Sequence, residues 1–363
     1  MIFRKRFRKE PEIATIKELA QLSGVSVATV SRVLNDYDDV SAATRERVLK
    51  LAEELEYTPT AAARTLVTKR SHVVGIVLAT GADHPDIQHP FFQEVLVGLK
   101  RRLGAGGYDL LLLATEEPGN GFGNHSYLQR CRHHRVDGVI LMGVDRREQD
   151  VQKLSRSTIP CVAVDLDLMG RRTGFVMSDN AKGADLAVEH LARLGHERIA
   201  NITGPPDMRV GIDRLVGYRA ALERLNLGYR DDYVRVGDFY FDSGHSAMQE
   251  LLALPQPPTA VFAASDLMAA GAIRAIEEAG LEVPTDIAVV GFDDIQLAAM
   301  MQPALTTIRQ DKLGLGAAAA EALVRMIELD GTPPPVLTLP VKLVVRDSSG
   351  RKRRPDSQQA PGA

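Results

Sequence analysis

From Val73 onward the chain alternates short apolar runs with helix-like stretches, and this alternation constrains the fold more than any other feature. The runs are VVGIVLA, YDLLLLA, VDGVILM, CVAVD, ERIANIT, PTAVFAA and DIAVVGF, most of them separated by 20 or more residues. Such alternation predicts parallel sheets wrapped by helices. Spread over ~270 residues, it fits two doubly wound α/β subdomains better than one. The whole chain of 363 residues also exceeds the ~250–300 at which a single core usually stops growing.

The first sixty residues follow a different rule. In TIKELAQLSGVSVATVSRVLN, Thr15 and Glu18 make the S/T-x-x-E capping box that starts a helix. Ile16, Leu19, Ala20 and Leu22 supply its apolar face, Gly24 stops it, and Ser26 caps a second helix. Val30, Val33 and Leu34 point that second helix inward. Val40 and Ser41 open a third, with Val48, Leu49, Ala52 and Leu55 on its buried side. Two helices joined by a tight glycine turn over a third predict a helix-turn-helix headpiece. The second helix leaves Val27, Ala28, Thr29, Ser31, Arg32 and Asn35 facing out. Small residues at its start let it enter a major groove, Arg32 can reach guanine edges, and hydroxyls and backbone N–H groups can hold phosphates. Between Thr15 and Thr60 acidic residues outnumber basic ones, so charge must be segregated by face for such a module to bind phosphate. A small helical docking module is the alternative.

Composition narrows the classes further. With 45% hydrophobic residues, 25% charged residues and a net charge of −3, the chain is ordinary and globular, not a polyanion binder by bulk charge. Cys131 and Cys161 are the only cysteines, too few for a disulfide framework and wrongly spaced for a zinc cluster, so both are expected to be packing residues. The start, MIFRKRFRKEPE, lacks the apolar run of a secretory signal, and no stretch approaches the ~18 apolar residues of a membrane span. A soluble, cytoplasmic protein is expected. No phosphate-loop, serine-elbow or H-E-x-x-H motif occurs, and Gly314-Leu-Gly316-Ala lies inside an apparent helix rather than after a strand. The adjacent His133 and His134 cannot share one helix face. No catalytic constellation, cofactor or metal site is expected. The ending RDSSGRKRRPDSQQAPGA is polar and basic, expected to be disordered, and carries no apolar heptads.

Between headpiece and body lies TPTAAARTLVTKRS, a helix-prone run too short to be stable alone. Here the family resemblance is plain. TIKELAQLSGVSVATVSRVLN, followed by VSAATRERVLKLAEELEYTPTAAARTL, resembles the DNA-binding headpiece of the LacI/GalR family of bacterial transcription regulators, nearly without interruption from Thr15 to Leu66. The likeness resumes at HPFF, VDGVIL, VEHLARLGHERIANITGP, RLVGYRAAL, PTAVFAASDLMAAGAIRAI, DIAVVGFDD and LTTIRQD. It implies a ligand-responsive regulator, usually a repressor, binding a near-palindromic operator as a homodimer. The short run would be a hinge helix that orders on DNA, with Ala63 and Leu66 at the minor groove and Leu66 as the wedge. Thr65 and Val67 depart from the usual hinge residues.

The resemblance also implies two subdomains of periplasmic-binding-protein type, with three chain crossings expected near Val164, Phe292 and Leu329. The expected division is an extension (1–13), headpiece (14–59), hinge and linker (60–70), body (71–346) and tail (347–363). Within the body, 71–163 and 293–328 would form one subdomain, and 164–292 and 329–346 the other. Ligand would lie in the cleft at the carboxyl ends of the strands. Asp145 follows VILMGV, Ser265-Asp266 follow AVFAA, and Asp293 follows VVGF. Carboxylates and a guanidinium in a partly dry cleft suit the paired hydroxyls of a sugar, and an aromatic face suits its C–H side. Residue by residue, Arg214 and Asp293 match the family's ligand-binding arginine and aspartate, Phe239 the stacking aromatic, and Phe91 and Phe92 cleft-lining positions. Asp266 could equally be a helix cap, one of Phe91 and Phe92 could be core, and Asp294 is expected to cap the following helix. Met208 sits where purine-binding members place an arginine, which favours a sugar. A sugar-binding transport protein is the alternative, disfavoured by the headpiece and the missing signal. The insertion ATGADHPDIQHPF could reshape one cleft wall or simply face solvent.

Overall fold

The computed structural model describes residues 15–34, 36–57, 70–78, 88–113, 126–329 and 331–350. The expectations for Asn35, Ala63 and Leu66 and for residues 1–13, 79–87 and 351–363 fall outside these residues. The start of the tail, expected to be disordered, is ordered through Gly350: Ser348 and Ser349 are buried, and the Ser348 hydroxyl donates to the Val289 carbonyl at 2.7 Å and accepts from the Thr306 amide at 2.8 Å. The chain divides into two compact units, 1–71 and 72–363.

In the first unit, α1 (Ile16–Ser23), α2 (Val27–Leu34) and α3 (Ala42–Glu54) form the three-helix module. The Thr15 hydroxyl accepts from the Glu18 amide while the Glu18 carboxylate accepts from the Thr15 amide, each at 3.3 Å, so two orphan donors of the helix start are satisfied together. Gly24 ends α1 at φ 68°, the left-handed conformation that favours glycine. Ser26 Oγ then accepts from the Thr29 amide at 3.1 Å to start α2. Leu19, Ala20, Val30, Val33, Val48 and Ala52 make the core. Leu22 and Leu49, expected to face inward, are instead 57% and 46% exposed. Three short helices enclose a core too small to shelter both flanks of each apolar stripe.

The second unit begins with β1 (Val73–Leu78), α4 (Pro90–Ala105), β2 (Asp109–Leu113), α5 (Tyr127–His133), β3 (Gly138–Met142), α6 (Gln149–Ser155), β4 (Cys161–Val164) and β5 (Thr173–Ser178). It continues with α7 (Asn180–Arg193), β6 (Ile199–Thr203), α8 (Arg209–Arg224), β7 (Val234–Val236), α9 (Phe241–Leu252), β8 (Ala260–Ala263), α10 (Asp266–Glu278) and β9 (Ala288–Asp293). It closes with α11 (Gln296–Met300), β10 (Thr306–Arg309), α12 (Lys312–Glu328), β11 (Val336–Leu339) and β12 (Lys342–Val344). Among the described residues these strands form two six-stranded sheets, ordered β11-β5-β4-β3-β1-β2 and β12-β10-β9-β8-β6-β7. All neighbours are parallel except β12, which runs antiparallel to β10.

Each sheet is buried on both faces, which explains the continuous apolar runs. In the first sheet, Val74 and Ile76 meet α4 and α12, while Val77 turns to α5 and α6. In the second, Ala200 and Ile202 meet α9 and α10, while Ile199 and Phe262 face α7 and α8. Helices α4 and α12 cross almost backbone to backbone: a Cβ on Gly98 would lie 2.2 Å from the Leu313 carbonyl oxygen, and one on Gly316 2.1 Å from that of Val95. Gly316 is therefore a helix-packing residue, whereas Gly314 sits against the Asp311 cap of its own helix, donating its amide to Oδ1 at 2.8 Å.

The three crossings between the sheets lie later than the sequence placed them. They fall between β5 and α7, between β10 and α12, and between β11 and β12, not at Val164, Phe292 and Leu329. Three short strands account for the difference. TGFVMS, TTIR and VLTL carry threonine, serine, glycine or arginine in place of a continuous apolar run, so they escape the hydrophobic pattern. Each extends its sheet by one strand before the chain crosses.

Candidate functional site

The headpiece presents α2 outward. Ser26, Val27, Ala28 and Arg32 are exposed, and Thr29 and Ser31 half-buried. The Arg32 Nη1 atom lies 2.9 Å from Asp39 Oδ2, so the guanidinium expected to read a base is engaged by an exposed carboxylate. Arg45 is likewise drawn to Asp36 and to the Tyr37 carbonyl.

In the body, a cavity of about 530 Å³ opens where the carboxyl ends of strands from both sheets meet. Its walls carry Asp145 and Arg146 after β3, Asp165 after β4, Asp238, Phe239 and Tyr240 after β7, Asp293 at the end of β9 and Gln310 after β10. Phe91 and Phe92 enter from the start of α4, and Arg214 from α8.

Arg214 is the organising cation. It is 3% exposed, its Nε donates to Asn180 Oδ1 at 2.8 Å, and one Nη donates to the Ala264 carbonyl. Asp293 Oδ1 lies 3.7 Å away, an ion pair without a direct hydrogen bond. The guanidinium sits 3.7 Å from the Phe292 ring centroid and 5.7 Å from that of Phe239, within cation–π range. Burial draws its pKa down, while Asp293 and Asp165 oppose that shift; an arginine stays charged regardless.

Asp293 is held by Gln310, whose Nε2 donates to Oδ1 at 2.6 Å. The backbone at Asp293 and Asp294 is left-handed, with φ 118° and 51°, a conformation that L side chains adopt at a cost of ~1–3 kcal/mol. Asp165, also left-handed at φ 54°, accepts from the Ser178 amide. Burial raises its carboxyl to about 6, with the Arg214 charge pulling the other way. Asp145 is pinned by its own neighbour: Arg147 donates from its backbone N at 2.8 Å and from Nη2 at 2.7 Å, which keeps the carboxyl below its ordinary range. Arg147 reaches on to Asp207 after β6, and Arg209 on α8 reaches back to Asp167 after β4 at 3.1 Å. Two ion pairs thus join the two halves beside the cavity.

Several expected residues do converge here: Phe91, Phe92, Asp145, Arg214, Phe239 and Asp293 all line the cavity. Phe91 is also core, 5% exposed and packed with β1 and α4, while Phe92 is half-buried beside it. Asp266 does not line the cavity. It is fully buried, Thr307 Oγ1 donates to one carboxylate oxygen and the Ile295 amide to the other at 2.8 Å. Burial and the nearby Asp293 charge push its pKa well up. Nor does it cap α10; Ser265 does, accepting from the Met268 amide at 3.0 Å. Asp294, expected as a cap for α11, instead pairs with Arg346 at 2.6 Å and with Arg309 at 2.5 Å, and α11 has no side-chain cap. Sequence reasoning missed Asp165 and Gln310. Asp165 carried the same signal as Asp145, an acid directly after an apolar run.

An exposed helix of a helix-turn-helix module on one unit and a polar cleft on the other fit a DNA-binding transcriptional regulator. Comparison with known proteins agrees. Residues 15–60 match the family described as bacterial regulatory proteins, lacI family, and residues 188–349 match the periplasmic binding protein-like domain. The ribose operon repressor of Escherichia coli (strain K12) is 39% identical over 316 residues, 87% of this chain and 93% of that protein. The solved CelR–cellobiose complex is 35% identical with a TM-score of 0.69, covering 92% of this chain and 99% of that one. The lac repressor dimer bound to operator and the anti-inducer ONPF is 30% identical with a TM-score of 0.77, covering 93% and 100%. The chain belongs to the LacI family of bacterial transcriptional regulators.

Proposed function

We propose that this protein is a homodimeric repressor whose hold on a near-palindromic operator is set by a sugar, most simply a monosaccharide, bound in the body cleft. The observation that carries the reading is the pairing of buried Arg214 with Asp293, flanked by Asp145 and by the Phe92 and Phe239 rings. A guanidinium and carboxylates held without full mutual hydrogen bonding leave donors and acceptors for vicinal hydroxyls, and the rings cover a C–H face. The named ligand of one relative and the operon of another are sugar-related, which supports the same class. In this reading the linker 60–70 is the hinge, Leu66 its wedge and Ala63 its neighbour at the minor groove, and Asn35 extends the reading face of α2.

Thermal melting of the full chain against D-ribose, other pentoses and hexoses, cellobiose and hypoxanthine tests the cleft. A ligand at one hundred times its Kd adds ~2.7 kcal/mol to stability, so a monosaccharide should raise the melting temperature by several degrees and change operator affinity. A shift with hypoxanthine alone would overturn the sugar reading. A monomer in sedimentation at operator-binding concentrations would overturn the dimer.

A further inference from the structure

Lys312 breaks two local rules at once. It is the first residue of α12, where the helix dipole disfavours a cation, and it is 3% exposed, where an ammonium is costly unless fully partnered. Its Nζ donates to the Asp293 carbonyl at 2.6 Å and to the Asp294 carbonyl at 2.9 Å, and lies 3.4 Å from Glu94 Oε1. Two of the ammonium's three donors go to the two carbonyls, and the Glu94 carboxylate pairs with its charge. Both residues are left-handed, and the one Nζ bridges their two carbonyls. The same turn of backbone sends the Asp293 side chain to the cleft wall, where Gln310 holds it. Glu94, the third partner, stands on α4, the helix that begins with Pro90, Phe91 and Phe92.

We propose that Lys312 is a positioning residue of the effector site. Its Nζ stabilises the left-handed 293–294 backbone and so aims the Asp293 carboxylate, and through Glu94 it ties that carboxylate to the helix bearing the cleft aromatics. Without the ammonium, the buried Asp293 carbonyl and the part-buried Asp294 carbonyl lose this donor, and the strained turn loses what offsets its cost. The turn then relaxes, and Asp293 moves away from Arg214. The part of this inference that concerns the effector rests on the cleft reading above; the part that concerns the backbone does not.

The experiment uses the full chain and the variants Lys312→Met, Lys312→Gln, Glu94→Gln and Asp293→Asn. Hydrogen exchange is followed without sugar, and D-ribose is titrated calorimetrically. Lys312→Met should speed amide exchange at 294–298 at least tenfold while β6 and β8 exchange as in wild type, a local effect that general destabilisation would not produce. It should weaken D-ribose binding by tenfold or more, and Glu94→Gln by about threefold. Lys312→Gln, which retains one donor group, should show the same local effect at smaller size and serves if the methionine variant does not fold. Wild-type exchange at 294–298 in the Lys312 variants would overturn the proposal. So would undiminished D-ribose affinity in those variants while Asp293→Asn is impaired. Unimpaired D-ribose binding by Asp293→Asn would instead overturn the cleft reading, with the exchange arm still judging Lys312.

Discussion

In the headpiece, the residues expected to meet DNA stand in solvent, and the core beneath them is a handful of small aliphatic side chains. In the body, Arg214, Asp293 and Gln310 at the cleft are buried among two large apolar layers. The difference lies in the cost of each site. Exposed Arg32 can exchange Asp39 for phosphate or a base edge with little change in folding energy, because a surface ion pair is worth ~0–1 kcal/mol. Arg214 has no such freedom. It was desolvated on folding, and Asn180, the Ala264 carbonyl, Asp293, Asp165 and the Phe292 and Phe239 rings offset that loss. Headpiece function should therefore separate from stability, whereas cleft function should not.

The largest test of that contrast is Arg214→Ala. It should remove the response to a cleft sugar, a loss of ~2–5 kcal/mol in affinity for a broken charge-assisted contact, and it should also lower the melting temperature of the body. Calorimetric titration and a melt on the same preparation check both effects. Normal sugar binding would mean the guanidinium does not face the effector.

Arg32→Ala comes next. Operator affinity should fall by ~1–3 kcal/mol, with specificity relaxed at one base position, while stability changes by less than ~0.5 kcal/mol. A matching drop in melting temperature would erase the distinction between the two units.

Asp165→Asn probes burial directly. In the folded body its carboxyl titrates near 6, above its ordinary 3.8, so folding favours the protonated form. The contribution is complete below about pH 4 and is lost as pH rises through about 6. The asparagine variant should therefore melt higher than wild type at pH 7.5 and nearly equal to it at pH 4. A gap independent of pH would show that the carboxyl is solvated. The smallest effect is expected from Asp39→Asn, which frees Arg32 and removes one negative charge. Operator affinity should rise a few-fold at low salt, and the gain should shrink as salt screens it; a loss of affinity would mean the Arg32–Asp39 pair helps shape the reading surface.

Much of this molecule could be read along the chain. Thr15, Glu18, Gly24 and Ser26 mark helix ends through contacts only a few residues away, so the headpiece elements were legible. The apolar runs announced the strands that are buried on both faces, and resemblance to the family brought Arg214, Asp293 and the phenylalanines to one cleft. The strands TGFVMS, TTIR and VLTL were not legible, because a strand at or near a sheet edge needs no continuous apolar run.

Other features depend on where distant segments meet. Pairing of β10 with β9 sets Arg309 opposite Asp293, and so brings Gln310 to the Asp293 carboxylate and Asp266 to Thr307 rather than to the cleft. Lys312 could be read only as a helix residue until the fold brought the 293–294 carbonyls and Glu94 around it. Periodicity and capping are short-range and act within one segment, so the sequence by itself determined the headpiece helices and the strands with continuous apolar runs, and their order. Which polar side chain is buried beside which depends on strand register and on where the chain crosses between sheets, and those were decided only by the tertiary structure.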